Sequence, residues 1–532
     1  MKTTGIGVCA LGALLLLAAC GSDTQTSTMD NSTARGTLVD NPPLRIAAVD
    51  AATLKAELMA SASGQQLLLL AGNPVCGVDF NYMHYWTIGG NAEAASASGA
   101  LMVPTGGAGC SGARPIVLYA HGTDTVKNRN LADITDPTNS EGALIAAMFA
   151  AHGYIVVAPN YTGYDTSSLP YHPYVNGAAQ SADMIDALVA ARKALGHVLA
   201  SGTTDGGKLF ITGYSQGGYV AMATHKAMQA MQAANMTVTA SAPMSGPYAL
   251  AAFADTVFYG RVDLGSTIFT PLLTTSYQKS YGGMYAATTN IYEANYAPTI
   301  EGLLPSTTNI NTLYMSGKLP PLALFNSNTP GVNGEPSSGS PALDAALAEP
   351  SDPNDPNTPL YRLGFGNPGN LITNAFRIAY VGDAAMNPDG AVPSVTNLMP
   401  SSTAMLPFRQ RLAQNDLRSW TPTSPVLMCG GAKDPVVFFP VNSALEESYF
   451  TNVAHVPAQL VPLLDLEAAP IGDPMNPLSA FDPLKVAFGQ TKAAIFAGAG
   501  GGAAGQSAVV QSYHQTVAPF CTAAARGFFS QF

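Results

Sequence analysis

Short continuous apolar runs recur along the chain at residues 116–120, 154–158 and 209–211, and stretches with helical spacing accompany them at 142–151, 178–195 and 216–233. Runs of this length without alternation predict strands buried on both faces. Strands alternating with helices predict a mostly parallel sheet with helices packed on either side. Ahead of them, from residue 79, apolar and polar positions alternate, setting Tyr82, His84, Trp86 and Ile88 on one face, with Ala97, Leu101 and Val103 later. That pattern predicts a half-buried antiparallel hairpin opening the sheet. The strand-helix alternation continues at 239–244 and 426–430.

Between Gly246 and about Pro407 the alternation stops, and roughly 150 residues rich in Tyr, Thr, Pro and Asn intervene. A structureless loop of that length inside a compact domain is improbable. The expectation is an inserted, mainly helical cap over residues 247–407, with 326–359 as a Pro/Ser/Asp-rich excursion on it. The core is then 42–246 together with 408–532.

The N-terminus reads as a targeting segment. Lys2 supplies the positive end, residues 8–19 are apolar, and Leu17-Ala18-Ala19-Cys20 closes the run, which is too short for a transmembrane helix. The closing tetrapeptide resembles the bacterial lipobox. That resemblance implies a signal peptide over 1–20, cleavage before Cys20 and lipidation of its thiol. Gly21 and Ser22 in place of Asp then favour the outer membrane, with plain secretion as the alternative. Residues 21–41, polar and poor in apolar side chains, are expected to be a flexible tether outside the fold.

Only 11% of the 532 residues are charged, and the formal net charge of −11 is spread without a basic run. Nucleic acid is therefore not an expected partner, and membrane contact is expected only through the anchor. A neutral small-molecule or lipid substrate fits better. Beyond Cys9 and Cys20 there are four cysteines, and in an oxidising compartment sequence neighbourhood favours Cys76 with Cys110 and Cys429 with Cys521. No Cys/His cluster has ligand spacing, so no metal is expected.

The chemistry centres on Gly213-Tyr214-Ser215-Gln216-Gly217, set between a predicted strand and a predicted helix. In that context Gly-x-Ser-x-Gly marks the nucleophile turn of an α/β-hydrolase fold. Ser215 sits in a strained bend, and the glycines keep Cβ atoms apart where strand meets helix. The Gln216 N–H can donate to a developing oxyanion. A second donor is expected after residues 116–120, from Thr123 or, alternatively, Asp124. A serine needs a histidine base and the base an acid, in the chain order Ser, acid, His. Asp434 follows the strand ending near Met428, whereas Asp465, Asp473 and Asp482 are less clearly placed. Two histidines lie beyond it, and the base should follow the last core strand, which selects His514 over His455. A Cys429–Cys521 bridge would hold the acid loop to the base segment, so reduction should lower activity before the core unfolds.

Together, Tyr119-Ala-His-Gly-Thr, Ala158-Pro-Asn-Tyr-Thr-Gly-Tyr-Asp165, His172-Pro-Tyr, Gly213-Tyr-Ser-Gln-Gly, Trp420-x-Pro-x-x-Pro-Val, Asp434-Pro-Val-Val and His514 resemble the bacterial secretory-lipase family. The resemblance covers the two core segments and only loosely the cap. It implies hydrolysis of carboxylic esters, an acyl pocket under a helical cap, no metal and no organic cofactor. Asp165 departs from it, standing where a glycine or other small residue is expected. A peptidase of the same fold and a tethered binding module without catalysis are the rival expectations.

Overall fold

The structure is a computed structural model that describes residues 35–196, 202–389 and 398–532. The expected signal segment, Cys20 and most of the expected tether lie outside the described residues.

Nine strands form one sheet in the order β1-β2-β3-β5-β4-β6-β7-β10-β11. In chain order they are β1 (Leu44–Val49), β2 (Gly77–Ile88), β3 (Ala94–Thr105), β4 (Gly112–Ala120), β5 (Ile155–Pro159), β6 (Thr203–Tyr214), β7 (Ala240–Met244), β10 (Met428–Gly430) and β11 (Leu463–Asp465). β1, β2, β3 and β5 pair antiparallel, and from β5 onward all neighbours are parallel. The uninterrupted apolar strands are buried on both faces. One face packs under helices Gly177–Leu195 and Gln216–Met231; the other under Ala51–Met59, Ala62–Ala71, Ser140–Met148 and Gly502–Phe529. Asparagine caps set two of these helices in register, Asn139 accepting from the Gly142 N–H and Asn176 from the Ala179 N–H.

The expected tether is shorter than residues 21–41. Residues 35–41 are docked, not loose: the Gly36 and Val39 N–H groups donate to Trp86 and His84 carbonyls, and Arg35 pairs with the Asp186 carboxylate at 2.9 Å. Backbone pairing along the β2 edge and one buried carboxylate hold a segment that carries little apolar surface. On β2 the face with Tyr82, His84, Trp86 and Ile88 is the less buried one, while Met83, Tyr85 and Thr87 are covered. Helix Gly177–Leu195 lies over that second face, where Tyr85 and Thr87 donate to Asp183 and Asp186 at 2.7 and 2.8 Å.

Between β7 and β10 the insertion is mainly helical, with Leu250–Phe258, Ser266–Tyr281 and Asn374–Met386 its longer helices, and with a two-residue ladder between β8 (Phe325–Asn326) and β9 (Phe365–Gly366). Pro407 is not its end but the first residue of helix Pro407–Gln414, whose Phe408 and Leu412 pack under the insertion. Both cysteine pairs are bonded, Cys76 with Cys110 and Cys429 with Cys521. No helix among the described residues is long and apolar enough to cross a membrane.

Candidate active site

Ser215 sits between β6 and helix Gln216–Met231 with φ 59° and ψ −124°, a backbone conformation costly for a side chain with a Cβ. The two glycines make it possible. A Cβ on Gly213 would overlap the carbonyl oxygens of Ala120 and Gly217, and one on Gly217 would overlap the backbone of Ala120 and His121. The turn is thus wedged against the end of β4, and Ser215 is held at the C-terminal edge of the sheet, where open α/β sheets bind ligands.

Asp434 and His514 meet there from 80 residues apart. His514 Nδ1 lies 2.7 Å from Asp434 Oδ2, and both side chains are buried. Asp434 is fixed by its own turn, Oδ1 accepting from the Val436 and Val437 N–H groups at 2.9 and 3.2 Å. An ionised carboxylate accepts only, so His514 donates from Nδ1 and its Nε2 presents a lone pair, buried and without a hydrogen-bond partner. His514 rides on the long helix Gly502–Phe529, not on a loop. The Tyr214 hydroxyl donates to the His514 carbonyl and its ring lies 4.8 Å from the imidazole, centroid to centroid. His455 is exposed on a turn with positive φ, away from this pair.

The segment after β4 runs beside Ser215, with Gly122 close against the Tyr214 carbonyl and the Ser215 Cβ. Among the described residues, the N–H groups of Thr123, Asp124 and Gln216 make no hydrogen bond, and all three remain available as donors. The Asp124 side chain is taken up by the Val126 N–H and Arg129, and its carbonyl accepts from the Tyr164 hydroxyl at 2.6 Å. Thr123 Oγ1 is 2.8 Å from the Tyr174 hydroxyl. The Gln216 side chain donates to His172 Nε2 at 2.7 Å, while His172 Nδ1 donates to the Thr162 carbonyl. Burial pushes the His172 imidazole down to about 3, which keeps it neutral and able to accept from Gln216.

Glu141 was not legible as part of the site. One of its oxygens accepts from the Tyr119 hydroxyl and the Gly122 N–H at 2.8 and 3.1 Å, and the other from Arg129, which also pairs with Asp124. In sequence it is only an acid in the first turn of a helix. Asp165, the departure noted above, adopts φ 49°, and its carboxylate accepts from the Tyr82 and Ser98 hydroxyls at 2.7 and 2.6 Å. A positive φ explains why a small residue was expected there, and the two hydroxyls explain how an aspartate is held.

Two cavities meet at Ser215. One, of about 90 Å³, lies under the insertion and is almost wholly apolar, lined by Val175, Leu250, Phe253, Val257, Phe269 and Phe408, with Gln216 and Asp263. The other, of about 610 Å³, is a broader and more polar cleft between the N-terminal helices and His514, reached also by Thr123, Glu141 and Tyr214. No group of three or more metal-ligating side chains occurs among the described residues.

The sheet order, the strained serine turn and the insertion above it decide the architecture. This is an α/β-hydrolase fold. A family model described as the prolyl oligopeptidase family matches residues 142–247, the stretch that carries the serine turn. No curated protein matches the chain by sequence. Among solved structures, the rice cell wall degrading esterase LipA from Xanthomonas oryzae is similar at 25% identity and TM-score 0.61, over 81% of this chain and 91% of that one. A ligand-bound form of the same esterase aligns over 93% and 98% at 23% identity and TM-score 0.64. A putative hydrolase from Legionella pneumophila aligns over 93% and 97% at 16% identity and TM-score 0.59. The comparisons support an α/β-hydrolase with esterases among its structural neighbours, and the two disulfides agree with export.

Proposed function

We propose that the chain is a serine carboxylic-ester hydrolase that works through Ser215, His514 and Asp434. The observation that carries this reading is the place of Ser215: at the seam of an apolar cavity and a polar cleft, with a histidine nitrogen left free in the same cleft and an aspartate behind it.

His514 Nε2 takes the Ser215 proton as Oγ attacks the ester carbonyl, and Asp434 fixes the tautomer and steadies the imidazolium. The Gln216 and Thr123 N–H groups receive the oxyanion, with Asp124 as the alternative second donor. The alcohol leaves with the proton from His514 Nε2, and water, activated by the same nitrogen, resolves the acyl-enzyme. The apolar cavity takes the acyl chain and the cleft takes the alcohol.

The test is turnover of nitrophenyl esters from acetate to palmitate, and of peptide amides, by the mature protein and its Ser215→Ala variant. We expect ester hydrolysis that is abolished in the variant, with the chain-length optimum reading how deep an acyl chain the cavity takes. Equal turnover by both proteins would refute the reading. The match to the prolyl oligopeptidase model keeps a peptidase in view, and cleavage of amides without esters would establish it. Lipidation of Cys20 and anchoring to the outer membrane belong to the same proposal, and the mass of the mature N-terminal peptide tests them.

A further inference from the structure

Asp263 lines the apolar cavity but has no part in the proton transfers just described. It sits in the loop before helix Ser266–Tyr281, and the N–H of its neighbour Leu264 donates to the Pro435 carbonyl at 2.9 Å, which ties this loop to the turn carrying Asp434. Its side chain is 6% exposed and borders the apolar cavity beside Ser215 and Gln216. Oδ1 accepts from the Ser266 hydroxyl, whereas Oδ2 is buried with no hydrogen-bond partner. Burial, reinforced by the like charge of Asp434, pushes this carboxyl up to about 7, so near neutral pH about half of it is the acid, which can donate as well as accept.

A buried carboxyl oxygen facing an apolar space is costly until something pairs with it. Of the other polar groups on the wall, Ser266 already donates to Oδ1 and Tyr174 is bonded to Thr123, while Gln216 Oε1, beside the reacting serine, is also unpaired. We propose that Asp263 is a specificity-determining residue of the acyl cavity, selecting esters whose acyl chain carries a hydroxyl group that pairs with the open Oδ2. The inference rests on the ester-hydrolase reading and deepens it. A plain methylene chain entering the cavity leaves Oδ2 unpaired, whereas a hydroxylated chain that the Asp263 side chain turns to meet pairs with it. Sites built to bond a hydroxyl discriminate strongly against the analogue that lacks one.

The experiment compares methyl esters of hexanoic, 3-hydroxyhexanoic and 6-hydroxyhexanoic acid, followed by acid release at fixed pH, with wild type, Asp263→Leu and Asp263→Asn. In wild type, kcat/KM for at least one hydroxy ester should exceed that for hexanoate by on the order of tenfold or more. Asp263→Leu should erase that preference, bringing the kcat/KM values of the three esters together whatever their absolute level. Asp263→Asn, which keeps a donor and an acceptor, should retain part of it. A merely structural role through the Asp434 turn would lower all three esters together and leave their ratio unchanged, and that result overturns the proposal. If the leucine variant does not fold, the wild-type and asparagine ratios decide, and a wild-type preference for hexanoate over both hydroxy esters overturns it. Failure of wild type to cleave any of the three esters instead overturns the ester-hydrolase reading, so the two failures are told apart.

Discussion

Replacing Cys429 and Cys521 by serine, or reducing their bond, should slow turnover at temperatures where the fold is intact. Cys521 lies seven residues beyond His514 on one helix, about two turns or roughly 10 Å along it. Cys429 is in β10, five residues before Asp434. The bridge therefore spans the two elements whose relative position sets the 2.7 Å contact between His514 and Asp434. Closing its 92-residue separation removes chain entropy worth roughly 4.6 kcal/mol, against roughly 3.8 kcal/mol for the 34 residues of Cys76–Cys110, and engineered losses usually come out lower. The helix would stay docked without it, since Tyr513, Val517, Phe520, Ala524 and Phe528 remain buried against the sheet. What loosens is the placement of the imidazole, and a misplacement near 1 Å is enough to cost up to about a hundredfold in rate. We expect a loss of about tenfold in kcat. Cys76–Cys110 is the internal control: it is of similar entropic worth, and the nine residues of β4, roughly 30 Å of strand, separate Cys110 from the oxyanion loop. Steady-state kinetics of the two double-serine variants, taken well below each melting temperature, decide the matter. Equal kcat in both variants, or full kcat without Cys429–Cys521, refutes the idea that this bridge positions the base.

Glu141→Gln removes the charge that gathers Tyr119, Gly122 and Arg129, so the oxyanion loop should loosen; kcat should fall about tenfold with little change in KM or far-UV circular dichroism. Gly217→Ala drives a methyl into the backbone of Ala120 and His121, which cannot step aside as a side chain can. It should cost about 3 kcal/mol or more of stability in denaturant titration and abolish labelling of Ser215 by a fluorophosphonate. His172 is held neutral in the fold, at about 3 against the ordinary 6.5. The stability linked to it is fully present above pH 6.5 and is lost as the pH falls from there toward 3, because only the unfolded chain takes up the proton. The gap in unfolding free energy between wild type and His172→Gln should therefore shrink by up to about 1.4 kcal/mol per pH unit below 6.5, and a gap independent of pH would contradict the burial argument.

How far the sequence carried depends on whether a residue's task is set by its chain neighbours or by distant ones. Ser215 was legible because the strained turn needs its glycines two positions away on either side, a local requirement written into five residues. Asp434 and His514 were legible at one remove, through chain order and the position of the last strands, although nothing in the sequence placed the histidine on a helix. Glu141 and Asp263 were not legible. As chain features they are an acid opening a helix and an acid in a turn; only the folded chain sets one against Gly122 and the other against the apolar cavity.

The same distinction explains what the pattern left open on β2 and what composition misjudged at residues 35–41. Alternation along β2 fixes that there are two faces, but which face is buried more deeply depends on helix Gly177–Leu195, about a hundred positions away. Composition marked residues 35–41 as tether because it counts apolar side chains, and this segment is held by backbone pairing and by Arg35 reaching Asp186. That pair has a further consequence. Asp186 shares its surroundings with Asp183, which is itself pushed up to about 7 by burial, and Arg35 is the cation bonded to Asp186, with Lys193 acting from farther off. A chain trimmed at residue 42, as composition alone would advise, removes Arg35 and leaves two buried carboxyls on the helix that covers β2 without it. The body that carries the site therefore includes Arg35, ahead of the first strand of its sheet.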